Sequence, residues 1–184
     1  MRLLRFSSLL LLVLIATGCC SVVAKSGDAK ILRCPQLIHT RGTKMFRLVL
    51  PTVSLAQSGT HVIQVRGLPA YLKGLFIYSL SMEVPPEEVY PYNDKPWNDA
   101  RISVVFRKLD GTEVFKKSLF LGTTSHGFSQ SHNGWEVGWN LGAGAYSLDP
   151  VPVQDESFDI VVTVEQPSRR STDKIAITAW AVIR

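Results

Sequence analysis

The chain has 184 residues, a length that suits a single domain with a sizeable core. Its composition, 46% hydrophobic and 19% charged, is that of an ordinary globular protein. The formal net charge of +5 is too mild, and the basic residues too scattered, for a nucleic-acid-binding protein, so we expect no nucleic acid partner.

Residues 1–18 have the three parts of a signal peptide. Arg2 and Arg5 form a positive n-region, and an apolar segment follows from Leu9 to Ala16. Small residues come next, as a signal peptidase requires. The apolar run is too short to span a membrane readily, because about 20 apolar residues are needed to cross the hydrocarbon core of a bilayer.

This apolar run closes on small residues followed by Gly18-Cys19, a pattern that resembles the lipobox of bacterial lipoproteins. Ala16 departs from the pattern, since the family usually has Leu there. The resemblance implies a mature chain that begins at Cys19 and is held in a lipid bilayer by acyl chains on that cysteine. It also implies a Gram-negative envelope and favours the outer membrane, facing the periplasm, because Cys20 is not the Asp typical of inner-membrane retention. Secretion after cleavage at Ala24, or an uncleaved anchor, are the alternatives.

Two further cysteines, Cys20 and Cys34, remain for disulfide chemistry. An exported protein meets an oxidising compartment, so a Cys20–Cys34 bridge is one interpretation. A free Cys20 beside a buried Cys34 is the other, and the sequence favours neither. The polar, small-residue stretch that follows Cys19 predicts a lipidated cysteine and tether over residues 19–30. A single domain then occupies residues 31–184.

The domain shows no sustained helical periodicity. Apolar alternation, β-branched runs and regularly spaced turn residues predict an all-β fold. Eight or nine strands in this length favour a two-sheet antiparallel β-sandwich with two long loops, and a jelly roll fits that pattern. The early strands and one helical turn are predicted at Met45–Leu50, His61–Val65, Ala70–Lys73 and Gly74–Met82.

The clearest element is a hairpin. Residues 101–108 alternate, with Ile102, Val104 and Phe106 on one face. Asp110-Gly111 follows, which is a strong hairpin signal because glycine adopts a positive φ without steric cost. The returning strand is predicted from Glu113 to Leu121.

A second pair of strands closes the chain. Residues 158–164 place Phe, Ile and two Val side chains on one face, and residues 175–183 do the same with Ile and Ala. The opposite face of the last strand holds Trp180 and is also largely apolar. A strand that is apolar on both faces is predicted to be central in its sheet.

Two aromatic-rich stretches, Pro85–Asn98 and Gly122–Pro150, interrupt the strand rhythm and predict the long loops, where binding residues tend to lie. Trp135 and Trp139 fall on the same face of a strand and would form a platform if exposed. Core packing is the favoured interpretation for these two, because an exposed indole is costly. The candidate binding surface comprises Tyr90, Tyr92, Trp97, Trp135, Trp139 and Tyr146.

No metal or cofactor site stands out. The four histidines and three cysteines lack the spacing of a metal site. Asp94 and Asp99, near Asn93 and Asn98, carry oxygen ligands that suit a structural Ca²⁺. Their spacing matches no defined calcium loop, so turn capping by these side chains is favoured and no cofactor is expected.

Enzyme motifs are missing, including the Gly-x-Ser-x-Gly, His-Glu-x-x-His and P-loop patterns, so we expect a non-enzymatic protein. The favoured function is a membrane-anchored envelope lipoprotein that binds another protein. A periplasmic immunity protein, or an accessory subunit of a secretion or surface machine, would fit this description. A carbohydrate- or peptidoglycan-binding module is the alternative, and a hydrolase with paired carboxylates comes third.

Overall fold

A computed structural model describes residues 20–34, 44–88, 94–124, 127–131, 134–142, 153 and 155–183. These residues form eleven β-strands and two short 3-10 turns, at Ala70–Leu72 and Pro86–Glu88. The strands are β1 (Ser21–Ser26), β2 (Ala29–Cys34), β3 (Lys44–Ser54), β4 (Gly59–Val65), β5 (Ile77–Val84), β6 (Arg101–Lys108), β7 (Glu113–Phe120), β8 (Gly127–Ser131), β9 (Gly134–Asn140), β10 (Phe158–Gln166) and β11 (Lys174–Ile183).

The strands form two antiparallel sheets that pack as a sandwich, as the sequence predicted. One sheet has seven strands in the order β1-β2-β3-β11-β5-β9-β8, and the other has four in the order β4-β10-β6-β7. Apart from β1, β2 and β8, each sheet contributes four strands, and most strands that follow one another in the chain lie in opposite sheets. This order is a jelly roll, and β1 and β2 extend one edge of its larger sheet.

Alternating side chains of the two sheets form the core. In the four-stranded sheet, Ile160 of β10 lies opposite Phe106 of β6, and Val162 lies opposite Val104. All four side chains are fully buried. The β6–β7 hairpin is confirmed, and Gly111 in its turn has a φ of 91°. An L-residue with a side chain would be strained there.

The two closing strands lie in opposite sheets and do not pair with each other. β10 pairs with β4 and β6, whereas β11 pairs with β3 and β5 in the opposite sheet. Their inner faces therefore meet across the core. The prediction that the last strand is central is confirmed, since β11 is fourth of seven. Its outer face is only partly covered, and Val182 is 60% exposed.

The predicted tether over residues 19–30 is wrong for the part that is described. The chain forms β1 directly after Cys20, turns, and returns as β2 alongside β3. A Cys20–Cys34 disulfide closes one end of this hairpin. At the other end the turn contacts the opposite sheet, where the Asp28 amide donates to the Gln64 carbonyl at 2.8 Å. The domain therefore includes the hairpin that the sequence assigned to a linker.

The first long loop is held against the closing loop between β10 and β11. The Ser168 hydroxyl and the Arg169 amide both donate to the Pro96 carbonyl, each at 3.0 Å. The second predicted loop, 122–150, is not irregular throughout, because β8 and β9 lie within it. Gly122 allows the two loops to meet, since a Cβ there would lie 2.5 Å from the Asn98 carbonyl oxygen.

Candidate functional site

Two of the aromatic residues assigned to a binding surface lie in the core instead. Trp97 and Trp139 are 1% and 0% exposed, and their rings meet edge to face at 5.6 Å. The Trp139 indole N–H donates to the Leu121 carbonyl at 3.2 Å. Trp135 shares the inward face of β9 and packs against the core while half-buried. These indoles therefore form no exposed platform.

The remaining predicted positions divide between described and undescribed residues. Tyr90, Tyr92 and Tyr146 lie outside the described residues, as does Cys19. The two cysteines that follow Cys19 in the chain are bridged to each other. Within the described part of the chain, the candidate site therefore lies on another surface.

The acidic residues considered for calcium bind an arginine instead. Asp94 and Asp99 both pair with the guanidinium of Arg169, and Asn93 lies outside the described residues. The hydrogen bond and the charge of Arg169 lower the pKa of the Asp94 carboxyl. In the part of the chain that the structure describes, no three His, Cys, Asp or Glu residues are grouped so that they could hold a metal ion.

A groove with a volume of ≈1260 Å³ lies on the outer face of the seven-stranded sheet. We call it the outer-face groove. Its floor is made of short side chains on three adjacent strands, because Thr178 lies opposite Ser79 and Ala176 lies opposite Ser81, which in turn faces Gly138. The Ser79 and Thr178 hydroxyls share a hydrogen bond of 3.1 Å. Short residues in register on neighbouring strands leave a polar trough.

One end of the groove is basic and aromatic. Arg47 of β3 lies opposite Trp180 of β11, and Trp180 lies opposite Ile77 of β5. The Arg47 guanidinium carbon lies 5.0 Å from the centre of the Trp180 ring, which is a cation–π contact. Among the described residues the buried Nε of Arg47 has no hydrogen-bond acceptor. The Arg47 side chain as a whole is only half-buried, so this end presents a positive charge that can bind an anionic group.

The other end is rich in charge. Glu83 of β5 lies opposite Glu136 of β9, so both carboxylates project from the outer face. Arg170, Asp173 and Lys174 line the same end. The Arg170 guanidinium already binds the buried Asp173 carboxylate, as well as Glu88 beyond the groove. The two glutamates thus place negative charge at this end of the groove.

The distance between the two ends decides what the groove can hold. Ile77 and Glu83 mark the ends on β5, and a strand rises about 3.4 Å per residue, so the groove is roughly 20 Å long. An extended peptide of about six residues has that length. The short hydroxyl-bearing floor would contact such a segment from below.

One wall of the groove is positioned by the opposite sheet. The Lys117 ammonium of β7 donates to the carbonyls of Asn140 and Gly142, at 3.0 and 2.8 Å, just where β9 ends. Partial burial lowers the pKa of this ammonium group. Because Asn140 lines the groove, this contact between the two sheets fixes the rim of the groove at the end of β9.

Sequence reasoning missed the two most distinctive groove residues, Arg47 and Trp180. The alternation of β11 does place Trp180 on the face opposite the core-forming side chains. Nothing in the sequence indicates that β3 lies beside β11, which is what brings Arg47 over the indole ring. The sequence therefore placed Trp180 on the outer face, but it did not indicate that Arg47 contacts it.

Comparison with known proteins adds no family to these observations, since no protein-family model and no curated protein matches the chain. Among the described residues, no helix is long and apolar enough to cross a membrane.

Proposed function

We propose that this protein is an envelope lipoprotein, acylated at Cys19, whose jelly-roll domain is a non-enzymatic binding module. The outer-face groove holds an extended segment of a protein partner. An immunity protein that binds an incoming toxin, or an accessory subunit of a secretion or surface machine, would act in this way. The anchor would place the module at the outer membrane, facing the periplasm.

The observation that carries the proposed binding role is the opposite charge at the two ends of the groove. The Arg47 guanidinium suits an acidic side chain or a chain carboxylate, and the Glu83 and Glu136 carboxylates suit a basic side chain. Six extended residues span about 20 Å, so a peptide of this length can present an acidic group at one end of the groove and a basic group at the other. Charge complementarity of this kind selects the partner and its direction of binding.

A glycan fits the groove less well. Sugar rings stack on an open aromatic face. Two described tryptophans line the groove, but Trp180 has one face covered by Arg47, and the Trp139 side chain is fully buried. The other three tryptophans, at positions 97, 135 and 139, pack in or against the core. The charged ends would also have no partner in a neutral oligosaccharide. If the domain bound a glycan array and lost that binding when Trp180 is replaced, the partner would be a carbohydrate and not a protein.

The facing glutamates keep a hydrolase as the second candidate function. Glu83 and Glu136 are directly opposite on neighbouring strands, and glycoside hydrolysis uses two carboxyl groups across one groove. A general acid also needs a carboxyl that is desolvated enough to keep its proton near neutral pH. Glu83 is exposed to solvent, so binding is favoured over catalysis. Hydrolysis of a polysaccharide that is abolished in both Glu83→Gln and Glu136→Gln would reverse this conclusion.

The binding role is tested by filling the groove. Ser79→Arg places a long side chain on its floor, whereas Val62→Arg places the same side chain on the outer face of β4 in the other sheet, where Val62 is 46% exposed. Immobilised Ser79→Arg should lose the envelope protein that the unaltered domain retains, and Val62→Arg should keep it. Matching unfolding midpoints would establish that both variants are folded. Equal retention by both variants would exclude the groove as the binding site.

Acylation is tested separately. Cys19→Ala should abolish palmitate labelling and leave the precursor unprocessed, because the neighbouring Cys20 fits the lipobox poorly and is bridged to Cys34. Labelling that persists in this variant would contradict the lipoprotein assignment and leave the groove experiment unaffected.

A further inference from the structure

Four neighbouring strands of the larger sheet carry basic residues and no acidic ones. β1, β2, β3 and β11 lie side by side, and none of them contains Asp or Glu. Two acids flank these strands: Asp28 in the β1–β2 turn accepts a hydrogen bond from the Gln64 amide, and Asp173, just before β11, is paired with Arg170. The basic residues of these strands are Lys25, Lys30, Arg33, Lys44, Arg47 and Lys174.

Exposed apolar side chains gather at one end of the same strands. This is the end where β1 and β3 begin and β2 and β11 finish, and we call it the anchor end. Val22, Val23 and Val182 there are 59%, 47% and 60% exposed. Tyr71, which is 57% exposed, joins them because its ring packs on Phe46 at the start of β3. Four of the seven exposed large hydrophobic residues in the described structure therefore lie at this end.

Two exposed cations flank these side chains. Arg33 lies opposite Phe46 near the end of β2, and Lys44 lies opposite Ile183 at the end of β11. No ion pair to either residue is present within the described part of the chain. A surface that combines valines, a tyrosine and exposed cations matches the interface of a membrane, where aromatic and basic residues are enriched.

The hairpin geometry brings the proposed anchor to this end. Cys20 is bridged to Cys34, and the turn of the hairpin is fixed on β4 by Asp28. Adjacent Cα atoms are about 3.8 Å apart, so an acyl chain on Cys19 would enter the bilayer within a few ångströms of the anchor end. Because the disulfide fixes Cys20 to β2, no flexible linker after Cys20 separates the domain from the membrane surface.

We propose that the anchor end docks on an anionic phospholipid bilayer, with Val22, Val182 and Tyr71 at headgroup level and Arg33 and Lys44 on lipid phosphates. The position of the anchor in this proposal rests on the proposed acylation of Cys19. It fixes the orientation of the domain: the Arg47 and Trp180 end of the groove faces the membrane, and the Glu83 end points away. A partner would therefore enter from the compartment side.

The test uses a chain that begins at Cys20, because every contact described lies within residues 20–183. Its partition is measured by sedimentation with vesicles of phosphatidylcholine alone, or mixed with an equal amount of phosphatidylglycerol. Each cation near an anionic surface contributes about a fivefold gain in partition, so Arg33→Gln with Lys44→Gln should lower it roughly 30-fold. The matched control, Arg101→Gln with Lys116→Gln in the other sheet, should leave partition unchanged.

The fluorescence of Trp180 provides a second measurement. Trp180 precedes Val182 by two residues on the outer face of β11, so brominated lipids in the mixed vesicles should quench its emission. Trp180→Phe should remove that quenching, because the other three tryptophans lie in or against the core.

Equal partition into both kinds of vesicle, or equal losses in the two double variants, would overturn the docking proposal. So would quenching that survives in Trp180→Phe. The unacylated chain makes the outcome independent of palmitate labelling at Cys19, and the groove variant Ser79→Arg should bind vesicles normally. Failure here and failure of the proposed function are therefore distinguishable.

Discussion

Gly27 forms the tip of the β1–β2 hairpin and contacts the opposite sheet. Its φ is 63°, and a Cβ at this position would lie 2.3 Å from the Gln64 carbonyl oxygen. Gly67 has nearly the same φ, 64°, but a Cβ there would meet nothing within 4 Å. Replacing each glycine with alanine therefore imposes the same backbone strain, and only Gly27→Ala adds a steric clash.

The magnitude follows from the contacts around the turn. A left-handed conformation costs an alanine about 1–2 kcal/mol, which is the whole expected loss for Gly67→Ala. In Gly27→Ala the turn must also move away from β4. That movement breaks the two hydrogen bonds between Asp28 and Gln64, both 2.8 Å, and each contributes about 0.5–1.5 kcal/mol. We expect a total loss of about 2–5 kcal/mol for Gly27→Ala.

Urea unfolding followed by tryptophan emission measures both variants. The unfolding midpoint of Gly27→Ala should lie well below that of Gly67→Ala, with the same slope against urea concentration. Hydrogen exchange should also rise along β1 in Gly27→Ala alone, since the hairpin loses its docking on the other sheet. Equal losses of stability in the two variants would refute the inference that the hairpin is packed as part of the domain.

Three further predictions concern the links that hold the domain together. Cys20→Ser with Cys34→Ser should lower the free energy of unfolding by about 3 kcal/mol, because the bridge spans a sequence separation of 14 residues; an unchanged urea midpoint would contradict this. Arg170→Met should lower the free energy of unfolding by about 3 kcal/mol in thermal unfolding, because the buried Asp173 carboxylate loses its cation. Arg169→Met should have a clearly smaller effect, because its ion pairs are exposed to solvent, and similar losses in the two variants would refute the distinction. In an NMR titration, Arg169→Gln should raise the pKa of Asp94 towards its ordinary value. Because that pKa is depressed in the folded state, the ion pair stabilises above the unfolded pKa and is lost as the pH falls through the folded one, and an unaltered titration would exclude the pair.

Strand identity was predictable wherever one face of a strand is fully buried. Residues 102–106 and 158–164 alternate because every second side chain enters the core, and that period of two is a local property of the sequence. The Asp110-Gly111 turn is local as well. The same reasoning failed for β1, where only Ser26 is buried and no alternation results. An edge strand that is held by a disulfide and by its turn leaves little hydrophobic pattern.

The candidate site was much less predictable than the fold. The aromatic loops were predicted to form a binding surface because tryptophan and tyrosine are common in such surfaces. Trp97 and Trp139 instead pack on each other in the core. The groove depends instead on short residues, such as Ser79 and Thr178, that have no signature when read singly. They form a trough only because they lie in register on neighbouring strands.

The sequence by itself determined the all-β class, the clearest hairpin, the central role of the last strand and the resemblance of Cys19 to a lipid attachment site. These features depend on neighbouring residues or on spacing along one strand. The tertiary structure alone decided that β10 and β11 lie in opposite sheets, that Arg47 covers Trp180, and that the predicted tether is a hairpin of the domain. Such pairings arise from burial shared between segments that are far apart in the chain, and no local pattern records them.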